Sequence, residues 1–529
     1  MSFRVRSLLV FLAGAIIPLA LEPLKILPVG VIGFAAFFYL IHDIRDDGGA
    51  YLRGLRPSLI LGWLFGFGQY FTGLYWLSGS LFVEADKFLW LLPFGLTLIP
   101  AYLASFTLVT VGLWYGFLKL YSTRFAANGS PVNKIVSAVA LASFYSGLCW
   151  AQTYILTGFP WNLPSMLWAS WLAPAQLISF VGFASLSLIV LLWIWVPTAL
   201  MMERKWVAAS SLLMVSFGLA WGAGTWWLNE NEPNSRQYNV AIIQPNIDQK
   251  IKWDPALRTE IIEATFSLTR QALRQSPRPD IIIWPETALP ILMDEVPALF
   301  EWIGDQLDDD QFLVSGALRR AQVGDSTDYY NSVMVWDGDG ELVSRSDKHH
   351  LVPFGEFLPM QDLLEAIGLE KLTQLKGGFK AGPKFAELEI PTRESQAAIK
   401  LLPLICYEAI FPIERDLADN FSAIVNVTND AWFGTSIGPY QHLAQTRLRS
   451  IELGLPLIRA ANTGISVVYD GMARELASID LGQMGFATIG VPEPVKTVLP
   501  ARYASWLFWI FNLMLLLKLM LSGYLTRRR

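Results

Sequence analysis

Leu401-Leu402-Pro403-Leu404-Ile405-Cys406-Tyr407-Glu408 is an apolar run that stops at a cysteine and then turns polar. Read as a buried strand, it carries a thiol to the strand tip, where a stiff scaffold meets a cleft. A cysteine used as a small core residue gives the same local pattern. The other cysteine, Cys149, lies in an apolar segment that reads as membrane-embedded, so no disulfide partner is expected for Cys406. Two more stretches shift the balance towards chemistry. Ile282-Ile283-Trp284-Pro285-Glu286 ends a second apolar strand in a carboxylate, and Ser346-Asp347-Lys348-His349-His350 places an ammonium after a further, more polar strand. Taken singly, Glu286 could cap a helix and Lys348 could sit in solvent. Taken together, the three form a nucleophile, a base and an electrostatic stabiliser. The thiolate is the reactive form. A carboxylate can accept its proton, while a lysine favours the thiolate and the oxyanion formed on attack at an acyl carbon.

Around these stretches the sequence alternates strands and helices. Strands are expected at 239–243, 280–284, 311–316, 332–336, 341–346, 398–405, 423–427, 457–459, 466–469 and 486–491. Helices are expected at 255–275, 296–307 and 437–453. Asp337-Gly338-Asp339-Gly340 reads as a hairpin turn. This pattern implies an α/β layered domain. At about 270 residues it can bury a core without disulfides.

The residues before it are of another kind. The chain has 529 residues, 53% hydrophobic and only 16% charged, which is unlike a simply soluble protein. Apolar runs near 7–21, 26–42, 57–79, 88–118, 135–156, 172–200, 207–228 and 504–525 read as about eight spans. No small-residue cleavage site follows the first run, so it reads as a retained helix. Arg45, Arg53 and Arg56, then Lys119, Arg124 and Lys134, then Arg204 and Lys205, and finally Arg527, Arg528 and Arg529 fall in alternate connections. Basic residues stay cytoplasmic, so both termini are expected inside and the large segment before the last span outside. The expected domains are 1–228 (spans one to seven), 229–503 (the external α/β domain) and 504–529 (the last span and a cytoplasmic tail). The net charge of −5 argues against nucleic acid as a partner. The four histidines, His42, His349, His350 and His442, show no metal-binding spacing, and no metal is expected.

Trp284-Pro285-Glu286, Asp347-Lys348 and Ile405-Cys406-Tyr407-Glu408 resemble the Glu-Lys-Cys motifs of the nitrilase, or carbon–nitrogen hydrolase, superfamily over roughly 238–495. The stretches 348–356 and 426–433, joined to the flanking spans, make the whole chain similar to the apolipoprotein N-acyltransferase family. The resemblance implies a nitrilase-like αββα sandwich in the bacterial periplasm, tethered to the cytoplasmic (inner) membrane. It implies acyl transfer from the sn-1 position of a phospholipid, typically phosphatidylethanolamine, to the amine of a diacylglyceryl-cysteine on an apolipoprotein. By the same resemblance Cys406 is the nucleophile, Glu286 the general base and Lys348 the oxyanion stabiliser, with Glu356 a supporting carboxylate. Trp253, Asn331, Tyr407 and Glu408 match positions on or beside the cleft. Read without the resemblance, Trp253 and Tyr407 are core residues, Asn331 belongs to a turn and Glu408 to a solvated surface. An amide product is more stable than the ester consumed, so no nucleotide or other cofactor is expected.

Two other functions fit parts of the sequence. A membrane-anchored amidase would use the same triad with water as acceptor. A transporter with an external domain would place polar groups inside the spans, which are sparse here. The segment 357–379 is unusually apolar and has Gly377 and Gly378 as a possible hinge. It is expected to be a lipid-gating lid, or else a helix packed on the core.

Overall fold

In the first strand, β1 (Arg236–Gln244), Val240 and Ile242 face one apolar layer while Ala241 and Ile243 face another. Alternate residues of a strand point to opposite faces, so a strand apolar on both faces must lie in the middle of a layered domain. The computed structural model describes residues 1–42, 51–125, 132–233, 236–293, 296, 298–324, 326–362, 378–383, 387–391, 398–413, 420–495 and 501–528.

The remaining strands are β2 (Ile281–Trp284), β3 (Phe312–Val323), β4 (Ser326–Trp336), β5 (Leu342–Asp347), β6 (Leu388–Ile390), β7 (Ile399–Ile405), β8 (Ala423–Thr428), β9 (Leu457–Ala461), β10 (Ser466–Tyr469), β11 (Glu475–Ile479) and β12 (Gly485–Pro492). They form two six-stranded sheets, ordered β12-β1-β2-β3-β4-β5 and β11-β10-β9-β8-β7-β6. In each sheet three central strands run parallel, β1-β2-β3 and β7-β8-β9, with antiparallel strands at the sides. Val240, Ile242, Ile283 and Val314 of the first sheet pack on Ile405, Val425, Val427 and Ile458 of the second. The outer face of the first sheet is covered by helices Arg258–Leu273 and Ala298–Gly304, through Phe266, Ala272, Leu299 and Ile303. Helix Gly438–Leu453 covers the second sheet. The layers are therefore α, β, β, α. Parallel strands end on one side of a sheet, and ligands bind beyond those carboxyl ends. Glu286 follows β2, Lys348 follows β5 and Cys406 follows β7.

The expected strands and helices lie close to those observed, with two differences. β3 and β4 run on to Val323 and from Ser326, beyond the apolar core that marked 311–316 and 332–336, because backbone pairing alone carries the exposed hairpin end. β6 and β11 have no expected counterpart, being short edge strands with few apolar residues. Most of the expected lid, 363–377, lies outside the described residues. At its ends Leu358 and Phe379 are buried.

Contacts divide the chain into one unit of residues 1–78, 90–230 and 498–529, and a second of 79–89 and 231–497 that holds the sandwich. Six helices of the described residues are long and apolar enough to cross a membrane: Phe3–Ala20, Ala85–Arg124, Lys134–Gln152, Ile178–Met202, Trp206–Glu230 and Tyr503–Tyr524. The other two expected spans correspond to Leu27–His42 and Tyr51–Gly73. The former has 16 residues, a length of about 24 Å against a hydrocarbon core of about 30 Å. The latter is diluted by Arg53, Arg56 and Gln69. The count of about eight is thus met by six on length and apolarity. Close helix approach is built on glycine: a Cβ on Gly14 would meet the Phe65 carbonyl, and one on Gly68 the Phe11 carbonyl. Buried polar groups pair within the bundle, Tyr70 Oη to Gln152 at 2.9 Å and Gln69 Nε2 to the Asn162 carbonyl at 2.8 Å.

The inter-sheet core is a stability determinant of the second unit. Ile242→Ala is expected to cost about 2–5 kcal/mol, because a fully buried side chain leaves a cavity. Val323→Ala, at the exposed hairpin end, should stay within about 0.5 kcal/mol. Thermal unfolding of both variants in detergent checks the contrast.

Candidate active site

Each of the three strand ends is fixed by its own hydrogen bonds. β5 ends at Asp347, whose carboxylate is held by Arg319 and by Ser332 Oγ at 2.7 Å. The next residue, Lys348, donates its backbone N–H to the Asn331 carbonyl and accepts from Gly382, both at 2.8 Å. The Glu286 turn passes so close to β3 that a Cβ on Gly316 would overlap the Glu286 Cα. At the end of β7 the chain enters a short 3₁₀ turn, Cys406–Ile410, and Cys406 has φ +51°. A non-glycine residue there is strained by about 1–3 kcal/mol, so the surroundings must hold it.

Glu408 supplies part of that hold. One carboxylate oxygen accepts from Ile405 N at 2.8 Å, and the other from His349 N and His350 N at 2.8 and 2.9 Å. It therefore ties the residue before Cys406 to the residues after Lys348. This corrects the reading of Glu408 as a solvated surface residue. Burial raises its pKa despite the three backbone donors.

The side chains converge in a buried cluster. Lys348 Nζ lies 2.9 Å from Glu356 Oε1 and 3.8 Å from Glu286 Oε1. Asn331, in β4 rather than in a turn, donates through Nδ2 to Glu286 at 2.8 Å and to Glu356 at 3.1 Å. The second oxygen of Glu356 accepts from Val352 N at 2.8 Å. All four side chains are nearly inaccessible. Burial works against the Lys348 ammonium, but Glu356, Glu286 and Cys406 outweigh it and hold its pKa above the ordinary value. Burial pushes the Cys406 thiol up, and the Glu286 carboxylate adds to this, whereas Lys348 and a hydrogen bond from Thr428 pull it down. At rest the site therefore holds a neutral thiol beside a carboxylate and a fixed ammonium. That arrangement can pass a proton from sulfur to carboxylate at the moment of attack.

Among the other expected residues, Tyr407 packs edge-on against Phe411, ring centroids 5.0 Å apart, with His350 stacked on the same Phe411 at 3.9 Å. Trp253 is 47% exposed, so it is not a core residue. Sequence reasoning missed Lys252, which is buried and reaches the Glu286 carbonyl at 3.4 Å. It also missed Asp430, His442 and Arg459 behind Cys406. No local signal marks these residues, since a polar helix or turn does not announce which of its charges is buried.

An α-β-β-α sandwich with a cysteine, a lysine and a glutamate at its strand ends, and a second glutamate in the loop after β5, defines a carbon–nitrogen hydrolase-type domain, and residues 239–493 match the family model described as carbon-nitrogen hydrolase. Residues 13–195 match the apolipoprotein N-acyltransferase N-terminal domain. Apolipoprotein N-acyltransferase of Brucella suis biovar 1 is 36% identical over 99% of this chain and 96% of its own length. That of Allorhizobium ampelinum is 35% identical over 99% and 97%, and that of Rhodopseudomonas palustris 36% over 94% and 91%. The chain belongs to the apolipoprotein N-acyltransferase family and is a multi-pass membrane protein.

Burial lowers the pKa of Lys252 from 10.5 to about 8, against the pull of Glu286. A lysine whose folded value lies below its unfolded value costs stability in full below the folded value, and the cost fades as pH rises towards the unfolded one. Lys252→Met should therefore melt higher than the parent near pH 7, and the gap should close between pH 8 and 10.5. Melting curves of both proteins across that range test it.

Proposed function

We propose that this chain is an acyltransferase that moves an acyl chain from a phospholipid to the N-terminal amine of a diacylglyceryl-cysteine on an apolipoprotein. The observation that carries the reading is the buried Glu286–Asn331–Glu356–Lys348 cluster beside a cysteine held at positive φ. Glu286 takes the Cys406 proton as sulfur attacks the sn-1 ester carbon. Lys348 stabilises the tetrahedral oxyanion. Glu286 then protonates the departing lysophospholipid, and a thioester remains. In the second half, Glu286 accepts a proton from the incoming amine, which attacks the thioester, and the thiol is restored. Glu356 and Asn331 keep Lys348 charged and Glu286 oriented. Tyr407, Glu408 and Trp253 border the substrates, Glu408 through the backbone it ties together. The donor we favour is phosphatidylethanolamine.

The reading places the protein in a bacterial inner membrane, with residues 229–503 as the periplasmic catalytic domain. Reporter fusions after Asn234 and after Arg529 should then report opposite compartments. The same compartment for both would overturn the topology.

The chemical test is intact-protein mass after incubation with phospholipid vesicles, followed by addition of a diacylglyceryl-cysteine peptide. The acyl mass should appear on a Cys406 peptide, be released by hydroxylamine, and move to the peptide amine. Cys406→Ala should form no adduct. Glu286→Gln should slow both half-reactions, because both move a proton. Lys348→Met should slow acylation by about 10²–10³-fold. An adduct that is discharged by water and never reaches the peptide amine would favour a hydrolase.

A further inference from the structure

The Cys406 carbonyl does not face the cleft. It lies 3.2 Å from His442 Nε2, a side chain of the outer helix Gly438–Leu453 that is 2% exposed. The other ring nitrogen, Nδ1, is 2.9 Å from Asp430 Oδ1. The carbonyl can only accept, which assigns a hydrogen to Nε2, while Nδ1 also lies 3.3 Å from Arg459 Nη2. Asp430 is completely buried and is held from its other side by Arg459 Nη2 at 2.7 Å. Burial opposes the Asp430 charge, but Arg459 and His442 overcome it and bring the pKa down to about 2, so the carboxylate is a permanent anion. Asn426, also bonded to Arg459, donates to the Leu404 carbonyl at 2.8 Å, two residues before the nucleophile. A buried Arg-Asp-His chain thus reaches from β8 and β9 to the peptide that follows the cysteine.

That peptide has two ends. A trans peptide is planar, so its N–H points opposite to its C=O. The carbonyl of the Cys406–Tyr407 peptide points to the helix layer. Its N–H, which belongs to Tyr407, therefore points to the other side of the sheet. That side holds the first sheet, with Glu286 and Lys348 at its strand ends. An N–H directly after a nucleophile is placed to meet the oxyanion that forms there. The peptide follows a residue at φ +51°, a sparsely populated conformation that persists only where contacts hold it, and turning the plane about its flanking bonds would carry the N–H away.

We propose that His442, backed by Asp430 and Arg459, is a positioning residue that grips the Cys406 carbonyl and so aims the Tyr407 N–H at the developing oxyanion, as a second stabiliser beside Lys348. The proposal rests on the acyl-enzyme reading above. It assigns His442 no proton transfer and no contact with substrate.

The test compares two amides. In His442→Gln the side-chain nitrogen takes the place of Nε2 and can still donate to the Cys406 carbonyl. In His442→Asn the nitrogen takes the place of Nδ1, keeps the Asp430 partner, and stops short of that carbonyl. Two rates are measured on each purified full-length protein: acyl-enzyme formation from phosphatidylethanolamine vesicles, by intact mass, and alkylation of Cys406 by iodoacetamide. Alkylation needs the thiolate but forms no oxyanion. His442→Asn should lose about 10²-fold in acylation while its alkylation stays within about threefold of the parent, and His442→Gln should recover at least about tenfold of the loss. Equal acylation by the two variants would overturn the proposal. So would a fall in alkylation that matches the fall in acylation, since that is the mark of a disrupted site. Absence of any adduct in the parent protein would instead refute the acyl-enzyme reading itself.

Discussion

The site depends on one ammonium kept charged in a place that disfavours charge. Lys348 is almost wholly buried, and an unpaired ammonium there would lose its proton. Two carboxylates prevent this, Glu356 in direct contact and Glu286 slightly farther away. The difference in distance matters for chemistry. Glu356 is saturated by Lys348, Asn331 and the Val352 N–H, so it serves as the fixed counter-charge. Glu286 accepts from Asn331 and stands 3.8 Å from Lys348, and it is the proton acceptor in the proposed mechanism. Asn331 bridges the two carboxylates and sets their spacing with one side-chain nitrogen.

Around this cluster the fold works as a set of ties between strand ends that are distant in sequence. Glu408 joins the cysteine turn to the loop after Lys348 through three backbone N–H groups. Arg319 and Ser332 fix Asp347, and with it the start of that loop. The His442 chain holds the other side of the cysteine turn. A residue at positive φ survives because it is held from both sides, which is how strain is kept at a reactive position. The same buried groups raise the pKa of the thiol, and in the proposed mechanism Glu286 takes its proton at the moment of attack.

Much of this was legible in the chain itself. The apolar runs, with alternating basic connections, determined a membrane half, because lipid tolerates long uncharged helices and little else. Runs such as 401–405 and 281–284, apolar at every position, determined strands buried on both faces and hence a layered α/β domain. The strand-end placement of Glu286, Lys348 and Cys406 was also visible, because Glu286 and Cys406 each end a buried run in a polar side chain and Lys348 follows an expected strand. What the sequence could not decide was which polar residues meet. Glu408 reads as an exposed acid until the chain brings three N–H groups around it, and Asn331 reads as a turn residue until β4 pairs with β5. Lys252, Asp430, His442 and Arg459 carry no periodic signal, since a buried charge is tolerated only through partners supplied by other elements. The pairing of β12 with β1 and the stacking of the two sheets are likewise long-range events. Local pattern determined the elements and the reactive side chains. The tertiary structure alone decided the distances and charges between them, because those arise from contacts between residues distant in the chain, such as Asn331 with Glu286, His349 with Glu408, and His442 with Cys406.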